Sequence, residues 1–298
     1  MISGLARLVF PKKCIFCGCA LAPGAPVCIC GDCAAEIPYF AGEYLFDGGA
    51  RTGYTHADNV HVGSSRGART VYTHADSAHA GSSRGARTAH TCDSIVCVMK
   101  YSGFVRKAIS GFKFNGRREY GQTLAALLCE RLAIPERGPF DFVTCVPLSR
   151  SRLRERGYNQ AAVLAKYTAR YFGLPFCGDM LKRDENALRQ GTLSRNERRV
   201  NARSAFRIDD AKMRAFLSKT PIAGARQYPD APDESPLADE SPLADELPLA
   251  DALPLAGARV ILIDDIATSM STINACAALL KSRGAAEVLG AVLAAPYI

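Results

Sequence analysis

The sequence predicts an α/β fold, a mostly parallel sheet with flanking helices, preceded by a small cysteine-rich unit. Three observations carry this. Strand-like and helix-like segments alternate through most of the chain, the order that builds parallel sheets. Val260-Ile261-Leu262-Ile263 is an unbroken β-prone apolar run, the habit of a central strand buried on both faces. The first 40 residues carry the spacing C-x2-C-x12-C-x2-C, which suits a metal better than a sheet.

Composition narrows the class. A chain of 298 residues has ample length for a real core, and 48% apolar with 22% charged residues is the balance of a soluble globular protein. No apolar run approaches a membrane span, and Met1 to Phe10 is too short and interrupted for a signal peptide. A cytoplasmic protein with no membrane partner is therefore expected. Its twelve cysteines should be reduced or metal-bound rather than paired. The net charge of +8 is concentrated: Val146 to Arg207 holds fourteen Lys/Arg against five Asp/Glu, an excess of nine. Arginine outnumbers lysine there twelve to two, and the guanidinium fork suits phosphate oxygens.

Taken in order, residues 1–40 form the cysteine-rich unit. Cys14, Cys17, Cys30 and Cys33 are its candidate Zn²⁺ ligands, because two-residue spacing lets both thiolates of a turn reach one tetrahedral ion. Cys19 and Cys28 offer a competing inner pair. Residues 48–90 follow as a repeat insertion, in which Tyr54–Val71 and Tyr72–Ala89 share the pattern YTHAD-x-x-H-x-GSSRGART-x. Two copies rich in Gly, Ser, Thr and Arg cannot stack a core, so disorder is expected. All five histidines lie in or beside it, which leaves none for general base work elsewhere.

Residues 92–298 then read as the α/β domain. Ser94–Met99 is strand-like, and Arg118–Leu132 is helical with Leu124, Leu127, Leu128 and Leu132 on one face. Asp141–Val146 is a strand stopped by Pro147, and an arginine-rich loop follows it. Asn159–Phe172 is a helix with Asn159 as N-cap and Gly173 as its stop. Ala205–Ile208 is a short strand. Residues 227–256 are an acidic, proline-rich insertion, with eight acids and no base between Asp230 and Asp251. The apolar strand follows, then a helix from Ile273 to Lys281 closed near Gly284, and a last strand at Glu287–Ala294.

Two segments carry chemistry. The apolar strand ends in Asp264-Asp265, and Thr268-Ser269-Met270-Ser271-Thr272 lead into the next helix. A strand-to-helix loop there aims backbone N–H groups at an anion, while carboxylates accept from sugar hydroxyls or help hold Mg²⁺. This segment resembles the PRPP-binding motif of type I phosphoribosyltransferases. In that family the two acids contact the ribose hydroxyls and the loop holds the 5′-phosphate. A response-regulator fold also ends a strand in acids, but only 33 residues follow Asp265, too few for the rest of such a fold.

The second segment, Val146-Pro147 through Arg150, Arg152, Arg154 and Arg156 to Gly157-Tyr158-Asn159-Gln160, resembles the ComF signature VP-x-x-x-x-R-x-x-x-RG-(Y/F)-NQ. Lys100-Tyr101 and Lys113-Phe114 are similar to that family's opening motifs. Arg183, Leu188, Arg189, Gln190, Leu193, Ser194, Arg198, Asn201, Ala205 and Phe206 fit its hood-loop stretch. The resemblance implies a type I phosphoribosyltransferase fold with an N-terminal zinc ribbon. It also implies Mg²⁺-assisted binding of PRPP or a related phosphorylated nucleotide, and a link to natural competence. Asp264 and Asp265 would be the catalytic pair, and the four arginines would hold the pyrophosphate. The family loop reads DD-x-x-TTG-x-T, so Met270 stands where glycine is expected. That predicts either a strained backbone or a side chain in the pocket. Two other classes compete: a module for single-stranded DNA, and a non-catalytic adaptor for a competence-machinery protein.

Overall fold

The computed structural model describes residues 12–22, 25, 27–40, 44–47, 50–54, 92–132, 134–184, 205–220, 222, 253–268 and 270–296. The repeats beyond Tyr54, the histidines, the hood-loop positions Leu188 to Asn201, Ser269 and most of the acidic tract lie outside them.

The main sheet has seven strands. These are β1 (Tyr44–Asp47), β2 (Ala50–Tyr54), β3 (Ser94–Lys100), β4 (Phe142–Cys145), β5 (Phe176–Cys177), β8 (Arg259–Ile266) and β9 (Glu287–Ala295). They lie in the order β2-β1-β3-β9-β8-β4-β5. The five from β3 to β5 are parallel, and β1 and β2 add an antiparallel edge. The expectation of a mostly parallel sheet therefore holds. Helices cover both faces. One core packs Val105, Ile109, Phe112, Leu124, Leu128 and Leu164 against alternate strand residues such as Val143, Ile261, Ile263 and Leu289. The other packs Ile273, Cys276 and Leu280 against Phe142, Val260, Leu262 and Val292. Burial on both sides is why these strands read as continuous apolar runs.

Two expectations need correction, and two features add to the sequence reading. The arginine-rich segment is not a loop but a helix, Arg150–Arg156. Ser149 caps it by accepting from Arg152 N–H at 3.3 Å, and Gly157 ends it at φ 77. Arginine and leucine are good helix formers, and alternate spacing spreads the four charges over two faces. A helix at Gly103–Phe114 has no counterpart in the sequence reading, although Val105, Ala108, Ile109 and Phe112 are buried at helical spacing. The strand at Phe206–Ile208 (β7) pairs antiparallel with Leu181–Arg183 (β6) in a small separate sheet. Residues 50–54, inside the expected disordered insertion, form β2, paired with β1.

In chain order the helices are α1 (Gly31–Glu36), α2 (Gly103–Phe114), α3 (Tyr120–Leu132), α4 (Ile134–Arg137), α5 (Arg150–Arg156), α6 (Gln160–Phe172), α7 (Asp210–Leu217) and α8 (Ser271–Ser282). The chain goes from β4 through α5 and α6 to β5 on one face, and from β8 through α8 to β9 on the other. Neighbouring β4 and β8 thus send their connections in opposite directions. The loops part beyond their C-terminal ends, the place where open α/β sheets hold ligands.

The cysteine-rich unit is docked rather than separate. Cys14, Ile15, Phe16, Cys33 and Ile37 belong to the same core as α2 and α3. Phe16 meets Phe104 edge-on with ring centres 5.1 Å apart, and Cys28 N–H donates to Thr123 Oγ1 at 3.1 Å. Past the unit, Pro38 to Phe40 runs beside β3, where Phe40 N–H donates to Val98 and Lys100 N–H to Pro38, at 3.0 and 2.8 Å.

Candidate metal centre and acidic pair

Two turns build the cysteine cluster. Gly18, at φ 80, lets the chain fold so that its N–H reaches Cys14 carbonyl at 2.9 Å. Cys30 starts α1, its sulfur accepting from Cys33 N–H at 3.5 Å. The Sγ atoms of Cys14, Cys17, Cys30 and Cys33 lie within 4.8 Å of one another, and Cys17 and Cys30 are 3.7 Å apart. Zn–S bonds of about 2.3 Å in a tetrahedron require sulfurs about 3.8 Å apart, so the four fit a structural metal such as zinc. Cys19 and Cys28 stand outside this group. Their carbonyls instead accept from Cys14 and Ile15 N–H at 2.8 and 2.9 Å, closing the turns. The backbone N–H of Cys19, then its thiol, lower the Cys17 pKa to about 6, whereas burial first, then the Cys30 thiol, push the Cys33 thiol up.

The acids sit at the C-terminal end of β8. Asp264 is buried, and its Oδ1 accepts from Asp265 N–H at 2.8 Å. Burial first, and the charge of Asp265 second, push its carboxyl up to about 8. Asp265 turns towards α2 and α5: its Oδ2 is 3.0 Å from Lys113 Nζ and 3.9 Å from Arg156 Nη1. Beyond the acids the chain enters α8 through Met270, whose φ of 55 is the one positive non-glycine value among the described residues. Met270 supplies no side-chain cap to α8, its carbonyl accepts from Asn274 N–H at 3.0 Å, and its side chain leans on the core beneath α8. The strained alternative expected of this position is the one the chain adopts. Thr268 is exposed, and Ser271 and Thr272 are half-buried in the first turn of α8.

The arginines do not act as one group. Arg150, Arg152 and Arg154 are exposed, while Arg156 turns inward, lies 5.0 Å over the Phe114 ring and donates to Gln160 Oε1 at 3.1 Å. Asn159 Nδ2 ties the start of α6 to Val146 carbonyl at 3.0 Å, and Tyr158 O–H donates to Phe112 carbonyl. The Tyr158 bond holds α2 against the α5–α6 turn, next to Lys113, which meets Asp265. Lys113 was legible only as a motif letter; nothing in its spacing announces a meeting with Asp265, about 150 positions away.

No family model matches the chain. Competence protein F of Haemophilus influenzae is 26% identical over 205 residues, covering 66% of this chain and 70% of that protein. The DNA utilization protein YhgH of Salmonella typhi is 25% identical over 198 residues, covering 65% and 68%. Among solved structures, that of TT1426 from Thermus thermophilus overlaps 59% of this chain and 83% of its own at 14% identity, with a TM-score of 0.28, too slight to bear on the fold. No helix among the described residues is long and apolar enough to cross a membrane. Together with the Val146–Gln160 signature and the cysteine tetrad, these relatives support the resemblance to the ComF family.

Proposed function

We propose that this protein binds PRPP with Mg²⁺ and passes its phosphoribosyl group to a nitrogen nucleophile, in a role tied to DNA uptake. The observation that carries the reading is the acidic pair at the end of β8, beside the diverging β4 connection and just ahead of α8. In this reading the fold is that of a type I phosphoribosyltransferase. Asp264 and Asp265 accept from the ribose hydroxyls. The N–H groups of the Thr268–Thr272 segment, at the positive end of α8, take the 5′-phosphate. Arg156 faces the diphosphate. Mg²⁺, which favours oxygen ligands beside phosphates, would neutralise the leaving diphosphate when bound. Transfer breaks the bond from ribose C1 to the diphosphate oxygen and forms one from C1 to nitrogen. The nucleophile releases its proton to solvent. Such chemistry rests on positioning and electrostatics, so the pair needs no histidine beside it. The names Competence protein F and DNA utilization protein support the link to DNA uptake.

Titration calorimetry with PRPP, with and without Mg²⁺, tests the reading. Binding that requires Mg²⁺ and disappears in Asp265→Asn supports it. Absence of binding in both conditions turns the reading towards a fold kept for contact with a competence-machinery protein.

A second observation favours a nucleic-acid role for another surface. Arg106, Lys107, Arg117, Arg118, Arg150, Arg152 and Arg154 are exposed on and around α2 and α5, with Phe114 55% exposed among them. Cations flanking an accessible ring suit single-stranded DNA. Fluorescence anisotropy with labelled oligonucleotide should then give an affinity that falls steeply with added salt.

A further inference from the structure

Asp265 faces more positive charge than it needs. Lys113 Nζ and Arg156 Nη1 approach the same oxygen, at 3.0 and 3.9 Å, and the side chains of Lys113, Arg156 and Asp265 are only 12%, 10% and 13% exposed. Arg156 Nε is also buried and has no hydrogen-bond partner among the described residues. Its Nη1 already donates to Gln160. Among the described residues, one carboxylate oxygen therefore meets two buried cations, and one guanidinium donor is left over. A buried charge without a full set of partners is costly, so such an arrangement favours arrival of another anion.

We propose that Lys113 is a partner-exchanging residue that sets ligand specificity: it neutralises Asp265 in the ligand-free protein and passes to the ligand's diphosphate when ribose takes the carboxylate. The inference rests on the reading of Asp265 as a ribose-binding acid and adds to it a reason for discrimination. A ligand with a ribose diol alone draws Asp265 away and strands two buried cations. A ligand with a diphosphate on C1 supplies the replacement anion. The protein therefore rejects ribose 5-phosphate and accepts PRPP through the same pair of cations. Lys113 comes from α2 and Arg156 from α5, so the exchange also couples two helices to the bound state.

Calorimetry on the full chain with Mg²⁺ tests this with three probes: PRPP, ribose 5-phosphate and inorganic pyrophosphate. Lys113→Met should lower PRPP affinity about tenfold or more, the scale of a charge-assisted hydrogen bond, while ribose 5-phosphate binds at least as well as to the wild type. Lys113→Arg should restore most of the PRPP affinity. Asp265→Asn, with the internal anion removed, should bind inorganic pyrophosphate more tightly than the wild type. If the wild type binds PRPP but Lys113→Met weakens both sugar phosphates alike, Lys113 is merely structural and this inference alone falls. If the wild type binds no PRPP, the parent reading falls and the specificity role with it. Unchanged pyrophosphate affinity in Asp265→Asn overturns the exchange in either case.

Discussion

Met270 adopts a left-handed backbone, a conformation that glycine takes far more readily than other residues. A Cβ there costs about 1–2 kcal/mol, which this chain offsets in part by packing the thioether arm beneath α8. Comparing two substitutions separates these effects. Met270→Ala loses the arm and keeps the strain, whereas Met270→Gly loses both. Urea denaturation should find the glycine variant more stable than the alanine variant by about 1 kcal/mol. Equal stabilities would mean the loop relaxes to another conformation. Asp264 gives a second test. Its carboxyl titrates near 8 when folded, chiefly through burial, against an ordinary 3.8. The folded state therefore binds the proton more tightly than the unfolded chain. The stabilisation is full below about pH 4 and is lost as pH rises through about 8. Asp264→Asn keeps an acceptor for Asp265 N–H and cannot ionise. Its Tm advantage over the wild type should grow from about pH 5 to about pH 9; parallel curves would refute the buried neutral acid.

Helix placement decides what the acids meet. α2 is held at one end by Phe16 against Phe104 and at the other by Tyr158 against Phe112, whose ring centres are 5.1 and 5.7 Å apart respectively. α3 approaches α6 so closely at Gly121 that an added Cβ would stand 2.5 Å from Val163 Cγ1 and 3.2 Å from the Phe112 ring. Valine is stiff at χ1 and cannot step aside cheaply. Gly121→Ala should therefore destabilise the protein by about 1–3 kcal/mol, the usual cost of overpacking, measurable by urea denaturation. An unchanged midpoint would show that the two helices separate freely. The α3 and α6 assignments were legible because leucine periodicity and the Asn159 and Gly173 caps are local signals. The α5 helix was hidden by its charge: four arginines in seven residues suggest a ligand loop, while Ser149 and Gly157 cap a helical turn.

At the scale of the molecule, the cysteine cluster is part of the main core. Cys14, Phe16 and Ile37 share buried contacts with α2 and α3, and Pro38 to Phe40 hydrogen-bonds along β3. Metal removal should not release a small unit from an intact remainder. Chelation, or Cys33→Ser, is expected to lower the Tm of the whole by at least about 4 °C, seen by calorimetry as one shifted transition. A main transition left in place, with only a minor one lost, would show that the unit folds independently.

The chain by itself determined the alternating α/β order, the metal-spaced cysteine pairs and the acidic pair at the end of a buried strand, while the structure chose the four cysteines that meet. Each is written in neighbouring residues: apolar runs, two-residue cysteine spacing, capping residues. It also marked Met270 as the odd residue in its loop, since a missing glycine is visible without a structure. Only the tertiary structure decided that β4 and β8 lie side by side, that one arginine of four turns inward, and that Lys113 meets Asp265. Those facts depend on strand order and on how helices from distant segments pack, and packing couples residues about 150 positions apart that no local pattern relates.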